Sequence, residues 1–74
     1  MKNKFVKIYG IVDATKLVEL STQIEGDVII KRGKFSVDGK SILGIFSIGL
    51  TEGVTIEYPE DAYELDEFLQ QFES

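Results

Sequence analysis

The stretch Gly39-Lys40-Ser41-Ile42-Leu43-Gly44-Ile45-Phe46-Ser47-Ile48-Gly49-Leu50 constrains the fold most. It is an apolar run bracketed by glycines, with a serine where a helix would start and Gly49 where one would stop. A helix over about Ser41 to Ile48 carries Ile42, Leu43, Ile45, Phe46 and Ile48, more large apolar residues than one short helix buries on one side. Core packing claims Ile45 and Ile48. Phe46 is open to either core or surface. Gly44 lets the helix approach a neighbour closely.

The rest of the chain supplies neighbours for that helix. Lys4 to Tyr9 alternates as a half-buried strand does, with Val6 and Ile8 on one face, and Gly10 ends it. Asp13 is placed to cap a following helix, whose apolar stripe is Ala14, Leu17, Val18, Ser21 and Ile24. Gly26 falls where a left-handed C-terminal residue is often needed. Asp27 to Arg32, with Val28, Ile29 and Ile30 in succession, reads as a strand, and Gly33 turns it into a third strand, Phe35 to Val37. Gly53 to Tyr58 alternates again and Pro59 ends it. A last helix starts at about Asp61 with Glu64 three residues on, as in a capping box, and carries the stripe Leu65, Phe68, Leu69, Phe72. The order β-α-β-β-α-β-α predicts a two-layer α+β domain, with helices on one face of a four-stranded sheet and Lys7, Lys31, Thr55 and Glu57 on the other. Phe5, Tyr9, Phe35, Tyr58, Tyr63, Phe68 and Phe72 follow strand or helix periods and are expected to pack in the core or on the sheet.

Seventy-four residues allow one domain, residues 1–74, with a marginal core. The chain has neither cysteine nor histidine, which removes disulfides and the usual transition-metal ligands, so no cofactor or metal is expected. Residues 1–40 hold all eight basic side chains against five acids, and residues 41–74 hold eight acids and no base. That distribution argues against nucleic acid as a partner and suits a solvated acidic helix. The start, Met1 to Phe5, is charged and no long apolar segment follows, so neither a signal peptide nor a membrane span is expected, and the default location is cytoplasmic. No Ser/His/Asp set and no paired carboxylates at a defined cleft point to an enzyme.

Gly39-Lys40-Ser41 matches the end of a phosphate-binding loop, but that motif needs a glycine six positions before its lysine, and Lys34 stands there. The run Lys40-Ser41-Ile42-Leu43-Gly44, followed by Ile45-Phe46-Ser47-Ile48-Gly49, instead resembles the signature of the HPr family, small phosphocarrier proteins of bacterial sugar uptake. Gly53-Val54-Thr55-Ile56 resembles the family's final strand, and Gly26-Asp27-Val28 and the Gly33 turn fall at family spacing. The resemblance covers roughly residues 5 to 72 and implies the family's fold, an open-faced β-sandwich with a four-stranded antiparallel sheet.

The first helix departs from the family, which carries a histidine there that receives a phosphoryl group and an arginine that steadies it. Aligned on Gly10, Val12 takes the histidine's place; aligned without a gap from the helix, Gly10 takes it and Val12 takes the arginine's. Neither residue can accept phosphate, so carrier activity at this site is expected to be absent. An acyl phosphate on Asp13 would want a metal held by further carboxylates, which are not evident. Ser41 matches the serine that an ATP-dependent kinase phosphorylates in Gram-positive members, whose modified form partners a transcription factor; a serine there is also a sufficient helix cap. The resemblance further implies that Lys40, Ile42, Leu43 and Phe46 belong to a partner-binding face. Together these imply a non-catalytic regulatory adaptor with protein partners, a serine kinase and a transcription regulator among them, like the members called Crh. The alternative is a binding module of the same fold with no phosphorylation.

Overall fold

The computed structural model describes residues 1–73. Strand β1 (Lys2–Val6) leads to helix α1 (Ile11–Thr22), the hairpin β2 (Ile29–Arg32) and β3 (Phe35–Asp38), helix α2 (Ile42–Ile48), a 3-10 turn (Leu50–Glu52), strand β4 (Val54–Tyr58) and helix α3 (Tyr63–Gln70). The α+β architecture and the element order expected from the sequence are both present. The strands form one antiparallel sheet in the order β1-β4-β2-β3, so β4 sits between strands far from it in sequence.

Register decides which residues face the helices. Val6 lies opposite Val54, and Ile30 and Lys4 flank Ile56. Val6, Ile30, Val54, Ile56 and Tyr58 are fully buried and pack with Leu17, Ile45, Leu65 and Leu69 from the three helices. The opposite face carries Phe5, Thr55, Lys31 and Glu57. The Lys31 ammonium meets the Glu57 carboxylate at 3.1 Å across β2 and β4. Lys7, expected on that face, falls just past β1, and its N–H donates to the Phe72 carbonyl.

Two glycines do work that a side chain would oppose. Gly33 turns the β2–β3 hairpin at φ 57°, and Gly49 stops α2 at φ 83°, both in the left-handed region. Gly26 does not have the expected left-handed role: α1 ends at Thr22 with Gln23 as its right-handed last residue. Gly26 instead allows close approach of Pro59, whose Cγ would lie 2.8 Å from any Cβ added there.

The helix starts differ from expectation. α1 begins at Ile11 with Gly10 before it, so Asp13 lies inside the first turn and caps nothing. α3 begins at Tyr63 with Ala62 before it, so Asp61 is not its cap. An acid in the first turn is favoured by the helix dipole as well as at the cap, so an acidic residue alone does not fix the first residue of a helix. β1 also lies earlier than its alternation suggested; Ile8 is buried beyond the strand, where its N–H donates to the Leu50 carbonyl at 3.2 Å.

One polar cluster ties α3 to the sheet. The buried Tyr58 hydroxyl donates to the Asp66 carboxylate, which also meets Lys2 at 3.1 Å, while Lys4 reaches Glu73 at 3.4 Å. The hydrogen bond from Tyr58 and then that from Lys2 hold the Asp66 carboxyl down at about 2, against partial desolvation. Burial, then the bond to Asp66, pushes the Tyr58 hydroxyl upward.

Candidate functional site

Ser41 adopts an extended backbone before α2, and its Oγ accepts from the Gly44 N–H at 3.2 Å. That bond satisfies one of the amides a helix start leaves without an intrahelical partner. The entry turn is fixed from both sides: the Lys40 N–H donates to Asp38 Oδ1 at 2.9 Å and the Ser41 N–H to the Asp38 carbonyl at 3.0 Å. Gly44 brings α2 against β3, where an added Cβ would stand 3.1 Å from the Val37 Cβ. At the other end, Arg32 donates to the Ile48 carbonyl at 2.9 Å and pairs with Glu52, placing positive charge where the α2 dipole is negative.

With both ends pinned, the helix divides its apolar residues. Ile45 and Ile48 are buried as expected. Ile42 is 37% exposed, Phe46 51% and Leu43 80%. Phe46, open to either role from the sequence, therefore stands half out of the core. Lys40 is turned away from Ser41: its ammonium donates to the Ile24 carbonyl at 2.9 Å and ties the loop after α1 to the start of α2.

The start of α1 stands beside α2. Tyr9, Gly10, Ile11 and Ala14 line a shallow depression together with Ile45, Phe46, Gly49, Leu50 and Thr51. Tyr9, Ile11 and Val12 are 72%, 68% and 77% exposed. None of the three is among the site residues expected from the sequence, and Tyr9, expected to pack in the core or on the sheet, is exposed, as are Phe35 and Tyr63. Only Val12 carried a signal in the sequence, because at helical spacing it falls opposite the stripe of Ala14, Leu17 and Ser21, whereas Ile11, three residues before Ala14, lies on the edge of that stripe.

This surface offers little chemistry of its own. Gly10, Ile11 and Val12 carry no nucleophile. The Thr15 hydroxyl donates to the Ile11 carbonyl at 2.8 Å and the Ser47 hydroxyl to the Gly44 carbonyl at 2.8 Å. Among the described residues no three metal-ligating side chains gather, and no helix is long and apolar enough to cross a membrane.

A family model described as the PTS HPr component phosphorylation site matches residues 13–73. The match begins directly after Val12. Among solved structures, the phosphocarrier protein HPr from Bacillus anthracis str. Ames is similar, with a TM-score of 0.70 and 27% identity over 99% of this chain and 96% of that one. HPr-C-His from Thermoanaerobacter tengcongensis shares the fold, with a TM-score of 0.75 at 22% identity over 96% of this chain and 89% of that one. No curated protein matches the chain.

Proposed function

The chain belongs to the HPr family of the phosphotransferase system, and from that premise we propose that it is a member without the carrier histidine, acting as a regulatory adaptor that docks protein partners through α2. The observation that carries the reading is the pairing of two facts: the chain contains no histidine, while Ile42, Leu43 and Phe46 remain exposed beside Ser41. Histidine is the group that would take the phosphoryl from its donor, and the aliphatic and glycine side chains at Gly10 to Val12 have no lone pair to replace it. An exposed apolar helix face is what a docking partner desolvates.

In this reading Ser41 is the switch and a serine kinase modifies it, after which a transcription regulator binds. Phosphorylation would replace the hydroxyl at the helix start with a dianionic group, close to the Gly44 amide it now caps. Lys40 would contribute to the same face only after leaving the Ile24 carbonyl. The competing reading, a binding module with no phosphorylation, is favoured by that same cap, because a hydroxyl already engaged with Gly44 has a sufficient structural role.

Intact-mass measurement separates the two. ATP with a serine kinase of the family should add one phosphate, and phosphoenolpyruvate with the family's first enzyme should add none. An unchanged mass with ATP, or a phosphate that persists in Ser41→Ala, removes the switch. Phe46→Asp should keep the circular-dichroism spectrum and abolish partner capture; unfolding of this variant would instead assign Phe46 to the core.

A further inference from the structure

The hairpin of β2 and β3 turns through Lys31-Arg32-Gly33-Lys34, which holds three of the chain's eight basic side chains. Every residue from Lys31 to Ser36 is exposed, and Phe35 stands 72% out beside the turn. Register puts Lys7, just past β1, at this same end of the sheet, because Val6 faces Val54 and Thr55 faces Lys31. Two carboxylates reach these cations, Glu57 on Lys31 and Glu52 on Arg32. Four cations against two carboxylates leave this end positive in a chain whose net charge is −5. Beside the turn, Arg32, Phe35, Ser36, Val37, Ser47 and Ile48 line a hollow of about 220 Å³.

We propose that this hairpin binds an acidic segment of a protein partner, with carboxylates on Arg32 and Lys34 and one apolar side chain in the hollow against Phe35. Arg32 is held ready for such a contact. Its Nη1 donates to the Ile48 carbonyl at 2.9 Å, which fixes the guanidinium, while Nη2 faces Glu52. The Glu52 side chain is itself 61% exposed, so a partner's carboxylate takes its place without uncovering anything buried. An arginine fixed beforehand loses little freedom on binding. Arginine and aromatic side chains are also the ones that dominate the energy of interfaces. Charge selects the kind of anion. A nucleic acid or an anionic bilayer extends past the hairpin and meets the repulsion of the whole chain. A short acidic segment stays within a Debye length of the turn, about 8 Å at physiological salt. The surface is separate from the one assigned above to α2: Ser41 lies beyond the far end of β3, and none of Ile42, Leu43 and Phe46 lines the hollow.

Amide chemical shifts of the unmodified protein, titrated with a short peptide of glutamates around one phenylalanine, test this. The shifts should saturate and concentrate at residues 31–36, 47–48 and 52. Lys34→Glu should keep the native circular-dichroism spectrum and weaken binding roughly tenfold. Glu52→Gln frees Arg32 Nη2 and should tighten binding a few-fold. Lys16→Glu, the same change of charge on the exposed side of α1, should leave it unchanged. Replacing the peptide's phenylalanine by serine should weaken it. The absence of saturable shifts overturns the proposal, as do shifts confined to other residues. So does a Lys16→Glu loss equal to that of Lys34→Glu, or wild-type binding in both Lys34→Glu and Glu52→Gln. Hairpin shifts with phosphatidylglycerol vesicles or a single-stranded oligonucleotide, where the peptide gives none, would assign the surface to that polyanion instead. The titration involves neither kinase nor phosphate, so its result is independent of whether Ser41 is a switch.

Discussion

Asp66 shows at the scale of a residue how a single carboxylate fastens a helix to a sheet. Its ordinary carboxyl value, near 3.9 in an unfolded chain, falls to about 2 in the fold because Tyr58 and Lys2 donate to it. The unfolded chain therefore binds the proton more readily, and the stability this group contributes is complete above about pH 4 and disappears as pH falls toward 2. Urea midpoints measured from pH 5 to pH 2 should drop across that window, and Asp66→Asn should flatten the drop. Ser41 is the second residue whose worth can be measured. Ser41→Ala removes the bond to the Gly44 amide and should cost about 1 kcal/mol in a denaturant titration. A cost near zero would mean that water satisfies the amide equally well.

Elements are where local sequence rules both succeed and mislead. α2 is delimited by a serine that caps and a left-handed glycine that stops, and both were readable because each answers a need of the helix backbone itself. Gly49→Ala should cost about 1–2 kcal/mol, since alanine opposes the left-handed conformation and its Cβ would crowd Arg32 at 2.8 Å; a thermal melt reads the loss. At the starts of α1 and α3, Asp13 and Asp61 have the look of caps, whereas the chain uses Gly10 and Ala62 with no side-chain bond. The 3-10 turn at Leu50–Glu52 left no periodic signal. The burial of Ile45 and Ile48 was legible from the helical period, and Ile45→Ala should cost about 2–5 kcal/mol. The exposure of Tyr9 and Ile11 was not, because a residue ahead of a helix stripe or at its edge gains its surroundings only from how α1 is set beside α2.

For the whole molecule, the sheet order governs how the chain comes together. β1 and β2 are not paired with each other; each pairs with β4, which lies between them. Residues 1–53 therefore contain only the β2–β3 hairpin as a possible ladder, and an isolated two-stranded hairpin is marginal at best. A chain emerging from the ribosome would have its first strand waiting for its last. The core of Val6, Ile30, Val54, Ile56 and Tyr58 can close only once Tyr58 is free of the exit tunnel, with α3 following. Arrested nascent chains should thus show no protected amides in β1 until Val54–Tyr58 has emerged, and synthesis, unlike refolding from denaturant, should offer this fold no head start.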